Sequence, residues 1–452
     1  MSRPGPIVQK ALMIGVLVLL LQVAVFMIHG VLEGRRGYRD EATAGIAAAW
    51  GGAQTLAGPI LVVPYTVQVK VEEQTQVGER WVRSQAIREV PGEAFFLPDT
   101  LDVSGSMECS ERYRGVFRLP VYRTRLDVKA KFTATSDMLE ARGATPDWSR
   151  AVLVVALGDS RGLRATPRFA SAGVEGVFRP GRNREGWPGT IEADLPREDA
   201  GEFAVEFSLD LQGAPRLAVS PSGESNLVRL SGNWSDPSFD GASLPSWREI
   251  VDTGFQARWE STHFGRGFPQ QWLEQDGRRP VDLATMQRAA SGVTLADPVD
   301  AYRLVERSLK YALLVIVLIF AVFLLFELTC GRRVHPLQYA LIGGALVLFY
   351  LGFLALGDFA ESAVAYGTAA LVSSALVTGY AWSVLKTGVR AVVVGCGLAA
   401  TYGGLYVILR MQDFALLAGT AALFALLAAI MWVTRRIDWY GDSVGGEKSA
   451  RG

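Results

Sequence analysis

The apolar positions of this 452-residue chain follow two rhythms. The first is the unbroken run. Residues 11–32, ALMIGVLVLLLQVAVFMIHGVL, are long enough for a bilayer-spanning helix, which needs about 20 mostly apolar residues. Arg3 and Lys10 before the run would also suit a signal peptide. The run is long, however, and Glu33, Gly34, Arg35 and Arg36 follow it where a small-residue cleavage site would stand. It is read as an uncleaved anchor. Five more runs crowd the last third, near 309–329, 337–356, 362–384, 389–409 and 414–434. The 362–384 run carries Ser373, Ser374, Thr378 and several alanines, residue types that suit a helix packed inside a bundle.

The second rhythm fills residues 33–308. Residues 33–50 are Ala-rich and charged, a helical pattern that continues the first span. After Gly51 and Gly52 the pattern changes. ILVVPYTVQVKVEE (60–73) begins as a solid apolar run and passes into alternation. GVFRLPVYRTRLDVKAKFTA, GEFAVEFSLDLQG and several shorter segments alternate between Gly, Pro, Asp and Ser breaks. This predicts antiparallel sheets, sandwich-like in arrangement. The predicted fold is therefore a six-helix membrane bundle carrying a large β-rich domain: segment 1–10, span 11–32, β-rich domain 33–308, five spans within 309–434, and tail 435–452.

Lys and Arg in short loops set the orientation. With residues 1–10 cytoplasmic, the loops holding Arg332 and Arg333, Lys386 and Arg390, and Arg435 and Arg436 all fall inside, whereas GDFAE (357–361) falls outside. Both termini are then cytoplasmic and the β-rich domain is periplasmic. Trp432, Trp439 and Tyr440 suit an aromatic belt at the inner face. Long apolar helices exclude an outer-membrane barrel.

Charge adds one exclusion: 45 basic residues balance 45 acidic ones, which argues against a strongly basic nucleic-acid binder. Three cysteines, none near another, and three histidines in separate segments signal neither a zinc site nor a disulfide framework, and no cofactor is implied. Cys109 reads as an unpaired thiol.

Candidate chemistry is sparse. Gly158-Asp159-Ser160-Arg161-Gly162 matches G-x-S-x-G after an apolar strand, but Pro167 spoils the helix that a nucleophile elbow requires, and His263 is the only histidine in the β-rich domain. A Gly-rich turn is the plainer reading. Gly395-Cys396-Gly397-Leu398-Ala399-Ala400 resembles a dinucleotide loop but lies in an apolar run with no strand before it, so helix packing explains it better. Ionisable groups within spans are functional candidates, because burying them is costly. Glu327 leads this group, with Arg332, Arg333, His335 and Gln338 as its candidate polar cluster. Of the tryptophans at 81, 148, 187, 234, 247, 259 and 272, core packing is the expected role. The stretch 230–269, dense in Trp, Phe, Pro and Gly, is a candidate surface of special shape and equally a candidate core segment.

Several stretches together resemble the CreD family of bacterial inner-membrane proteins: GYRDEA (37–42), LAGPILVVPY (56–65), GDSRG (158–162), 230–269, DPVDAYRLVERSLKYALL (297–314), RVHPLQYALIGGALVLFYLGFLALGD (333–358) and TRRIDWY (434–440). The resemblance implies one N-terminal span, a large periplasmic domain, a cluster of spans, control by a two-component system, and a role in envelope stress and tolerance of toxic agents. It implies no catalytic residue. It also implies a G-D-x-R-G turn in which Asp159 and Arg161 form a structural pair and serine is not required.

The expected function is support of cell-envelope integrity without catalysis. The β-rich domain would bind an envelope protein or lipid component, and the bilayer would hold the helices. Carriage of a lipid or amphiphile, lined by Glu327, Arg333, His335 and Gln338, is the first alternative. A membrane-anchored hydrolase using Ser160 is the second. A sensor signalling through the Arg332–His335 loop is disfavoured, because 435–452 is too short for an output domain.

Overall fold

The computed structural model describes residues 6–77, 80–171, 173–182, 187, 189–274, 281–296, 301–330, 334–385 and 387–411, with isolated positions between 417 and 435. The chain forms two compact units, one of Arg39–Pro298 and one joining Met1–Tyr38 to Val299–Gly452. Helix α1, Pro6–Trp50, runs unbroken through the first apolar stretch and the Ala-rich segment behind it.

The Arg39–Pro298 unit is β-rich. Its first strands are β1 (Gln54–Val77), β2 (Arg80–Phe96), β3 (Thr100–Arg114) and β4 (Phe117–Ala134). Two short helices, α2 (Asp137–Glu140) and α3 (Leu283–Arg288), interrupt the later strands. A ten-stranded sheet is organised around β1, which pairs antiparallel with β2 from Leu61–Phe96 to Val77–Arg80. The solid apolar start of β1 has a physical cause: both of its faces are covered. Leu61 and Val63 enter one buried cluster, while Ile60 and Val62 enter another with Trp187, Phe268, Trp272 and, from α3, Leu283 and Met286.

An eight-stranded sheet runs in the order Trp247–Val251, Gly254–Thr262, Ser225–Gly232, β3, β4, Gly201–Gly213, Arg168–Ser171, Val174–Val177. Here the alternation is clean. Along β4, Leu126, Val128, Ala130 and Phe132 are buried, while Arg125, Asp127, Lys129 and Lys131 are exposed. That is the period-2 signature of a strand with one face wet. The inward residues join Leu61, Val63 and Leu153 of the ten-stranded sheet in one cluster. Cys109 lies in this cluster as a buried free thiol, its pKa pushed up to about 12 by desolvation, so it is an unreactive core residue at neutral pH. The side chain of Asn233 bonds the Cys109 backbone on both sides, accepting from its N–H (2.6 Å) and donating to its carbonyl (3.4 Å).

The other unit is helical: α4 (Ala301–Lys310), α5 (Ala312–Cys330), α6 (Pro336–Gly357), α7 (Ser362–Leu385) and α8 (Gly388–Arg410) accompany the first part of α1. Among the described residues four helices, α1, α6, α7 and α8, are long and apolar enough to cross a membrane. The pair α4 and α5, bent by 51° at their junction, makes up to five if taken as one span. The sixth expected run, 414–434, lies largely outside the described residues, as do Trp432, Trp439 and Tyr440. Small residues let these helices close on one another. Gly343 of α6 sits against Leu21 and Phe320, and a Cβ at Gly395 of α8 would stand 3.0 Å from Thr378 Oγ1 of α7. The Ser373 hydroxyl donates to the Ala345 carbonyl at 3.0 Å. Within the G-x-G-x-x-A run, Gly395 and the buried Leu398 pack inward, whereas Cys396, Gly397, Ala399 and Ala400 are exposed.

Arg266 ties the β-rich unit together from within. It is 4% exposed and donates to the carbonyls of Ser222 (2.8 Å), Gly223 (2.9 Å) and Phe268 (3.0 Å) and to Gln270 Oε1 (2.6 Å). Desolvation lowers its pKa to about 10, with Glu224 opposing, so it stays charged at neutral pH. Arg266→Ala would leave several buried acceptors unpaired, and we expect it to lower the unfolding free energy by roughly 3 kcal/mol in a denaturant titration followed by tryptophan fluorescence. Arg266→Lys should lose less. A loss near zero for the alanine variant would mean that water takes over its bonds.

Candidate functional site

Three places carry the chemistry-bearing residues. The first is the polar cluster of the helical unit. Glu327 is paired, and its partner is Lys10 of α1, whose Nζ also donates to the Val334 carbonyl at 2.9 Å. The Tyr339 hydroxyl lies 3.4 Å from Glu327 Oε2. His335 and Gln338 do something else: they cap α6. The His335 N–H donates to Gln338 Oε1 (2.8 Å), and His335 Nδ1 accepts from the Leu337 N–H (3.3 Å). Arg332 and Arg333 lie outside the described residues. Further along α1, Arg35 and Arg36 are paired as well. Arg36 reaches Glu306 at 2.7 Å, and Arg35 lies 3.4 Å from Asp358, which also accepts from the Tyr302 hydroxyl. Asp358 is only 3% exposed, and these two donors compensate its burial.

The second place is the Gly158–Gly162 turn. Asp159 accepts from the Arg161 N–H (2.9 Å) and from the Arg161 guanidinium through Nε (3.0 Å) and Nη2 (2.6 Å). That pairing holds the Asp159 carboxyl below its usual value. The turn is anchored by Gln54, which donates to the Asp159 carbonyl at 2.9 Å. Gly158 is pressed so close to Thr55 N, at 2.9 Å from an added Cβ, that a side chain has no room. Ser160 borders a cleft of about 390 Å³ with Leu283, Ala284 and Gln287 of α3, and among the described residues no histidine lines it. His263 instead stacks on Phe264 at the end of another strand and lies 3.8 Å from Glu224. A serine without a neighbouring base is a poor nucleophile.

The third place was not singled out by any motif. On the solvent face of the eight-stranded sheet lies a hollow of about 870 Å³. Its floor is Ser104, Gly105, Ser106 and Ser231; its walls include Arg125 and Asp127 on one side and Arg229, Arg258 and Trp247 on the other. A second hollow of about 540 Å³ adjoins it, sharing Ser106, Ser231 and Gln256. Short side chains amid long ones make the depression. Trp148, Trp187, Trp259 and Trp272 are buried, whereas Trp247 is 49% exposed. The 230–269 stretch supplies both readings at once, with Phe255, Ala257 and Trp259 facing the core and Trp247, Gln256 and Arg258 facing the hollow.

Residues 6–440 match the family described as "Inner membrane protein CreD". The chain belongs to the CreD family. Among curated proteins it is similar to "Inner membrane protein CreD" of Escherichia coli (strain K12), with 32% identity over 436 residues, covering 96% of this chain and 94% of that protein. Membership of CreD makes this an inner membrane protein, in keeping with its long apolar helices. It gives the pairs at Glu327 and Asp358 a setting in which an unpaired charge is costly.

Two outcomes follow. Glu327→Gln or Lys10→Met alone should each destabilise the detergent-solubilised chain by about 2 kcal/mol, because each strands a polar partner, while the double variant Lys10→Met/Glu327→Met should recover most of the loss in thermal unfolding. Additive losses would show that the two do not act as a pair. At the turn, Asp159→Asn should lower Tm slightly at pH 7, whereas Ser160→Ala should not. The Asp159 contribution is present above its unfolded pKa and is lost as pH falls through the depressed folded value, so the gap between wild type and Asp159→Asn should close as pH falls below that value. A gap that persists there would refute the ionic account.

Proposed function

We propose that this chain is a multi-pass inner membrane protein with six spans and cytoplasmic termini. Its β-rich unit faces the periplasm and supports envelope integrity by holding an envelope component. The observation that carries the reading is the hollow on the eight-stranded sheet: it is open, serines and charged side chains line it, and an exposed indole borders it. The polar groups expected to line a transport path point the other way. Glu327 is paired with Lys10, and His335 and Gln338 close a helix end. Basic residues beside the short loops favour the orientation. Nothing in the reading calls for catalysis or a cofactor.

Carriage of an amphiphile has one observation in its favour, a groove of about 710 Å³ along α7 and α8 lined by Tyr366, Tyr402, Tyr406 and small residues. It is mostly apolar and lacks the charged pair that would drive coupled movement.

The test is complementation. In a host lacking its CreD-family protein, the wild-type chain should restore exclusion of a membrane-impermeant dye under detergent stress. Ser106→Trp, which fills the hollow from an exposed position, should fail to restore it at equal protein level. Full rescue by Ser106→Trp would remove the hollow from the function. A single cysteine at Ser246 should react with an impermeant maleimide in cells whose inner membrane is intact, and labelling only after that membrane is broken would reverse the orientation.

A further inference from the structure

The hollow lies on a regular cross-strand row. Register places Trp247 opposite Arg258, Arg258 opposite Arg229, Arg229 opposite Ser104, Ser104 opposite Asp127, and Asp127 opposite Ser208. The row crosses six neighbouring strands of one sheet, so at about 4.8 Å per strand it is roughly 24 Å long. The adjacent row repeats the pattern with Glu249, Gln256, Ser231, Ser106, Arg125 and Asp210. Side chains opposite one another on neighbouring strands share a face, so both rows are presented together.

The charges in this trough are already paired. Arg229 Nη2 contacts both oxygens of Asp102 (2.8 and 3.0 Å), and Arg258 pairs with Glu260. Arg125 bonds Asp127 at 3.3 Å and the Ser208 hydroxyl at 3.2 Å, and Ser208 in turn donates to Asp127 at 2.5 Å. Each of these three guanidinium groups thus faces a carboxylate, and Glu249 and Asp210 of the adjacent row add further negative charge, so no cation is left over to hold an anion. This is not an anion trap. It is an array of fixed donors and acceptors, with serine hydroxyls between them and an exposed indole at one end.

The geometry points to an extended glycan backbone rich in amides as the occupant: the β-1,4-linked amino-sugar strand of the cell wall. The N-acetyl amides and remaining hydroxyls of such a strand both donate and accept, which matches carboxylate–guanidinium pairs held side by side. The ring's C–H face is apolar and flat and matches a tryptophan. A β-1,4-linked chain is extended, and it advances per sugar by nearly the spacing between strands, so successive sugars meet successive strands of the row. A trough several strands long suits such a chain better than a single sugar. The inference rests on the reading that the β-rich unit faces the periplasm and binds an envelope component.

The experiment uses the full chain in detergent and two probes, the β-1,4-linked hexamer of N-acetylglucosamine and the α-1,4-linked glucose hexamer, followed by calorimetric titration. Wild type should bind the first and not the second. Trp247→Ala should weaken binding by roughly tenfold or more, the scale expected for removing a stacking tryptophan. Phe264→Ala, at a residue 87% exposed and outside the trough, should leave it unchanged. Equal binding by wild type and Trp247→Ala, equal binding of both hexamers, or no binding of the first at millimolar concentration would each overturn the glycan assignment. The broader reading is judged separately: if Ser106→Trp fails to complement while no hexamer binds, the hollow serves another ligand, and if Ser106→Trp complements fully, the binding reading itself falls.

Discussion

Register is the constraint on which the β-rich unit depends. Five consecutive strands of the eight-stranded sheet, from Gly254–Thr262 to Gly201–Gly213, each place alternate side chains in the shared core, so the intervening ones are forced onto a common outer face, and the exposed strand Trp247–Val251 pairs at its edge. A slip of one residue in β4 would drive Arg125, Asp127 and Lys129 into the space filled by Leu126, Val128 and Phe132. The cost of burying those charges locks the alignment, and the alignment is what gathers Trp247, Arg229, Ser104 and Asp127 from distant parts of the chain. The outer face is therefore a by-product of core formation that the sequence is free to decorate.

The helical unit solves the opposite problem. Its surface is apolar almost throughout, and its few charges are where specificity must come from. Glu327 meets Lys10, Asp358 meets Arg35 and Tyr302, and Glu306 meets Arg36. Each pair joins α1 to a helix that follows the β-rich segment in sequence. Close approaches at Gly343 and Gly395 supply the packing that apolar contacts between helices do not supply by themselves.

Much of this was legible in the sequence, and for definite reasons. The alternation of β4 and of Gly201–Gly213 reports a strand with one wet face directly. The unbroken start of β1 looked different because α3, Trp187 and Trp272 cover its second face. The Asp159–Arg161 pair was readable because it is local. The partner of Glu327 was not: Lys10 lies 317 positions away, whereas the basic residues beside Glu327 in sequence drew attention first. Nor could composition separate Trp247 from Trp259. They sit on strands paired with one another, and only the pairing decides which indole enters the core. The hollow escaped for the same reason, since its floor is made of serines that signal nothing until two strands set them side by side.

The paired ends of α1 also act as a ruler. Between Lys10 and Arg35 the helix rises about 37 Å at ~1.5 Å per residue. That exceeds the roughly 30 Å hydrocarbon core of a bilayer and falls short of its full thickness of about 40–45 Å, so in an upright crossing both pairs would stand at headgroup depth. A thicker or thinner bilayer would have to pull charged groups into hydrocarbon, tilt the helix, or load the ion pairs at its two ends. In physical terms this stretch of helix is a strut of fixed length set against a deformable film.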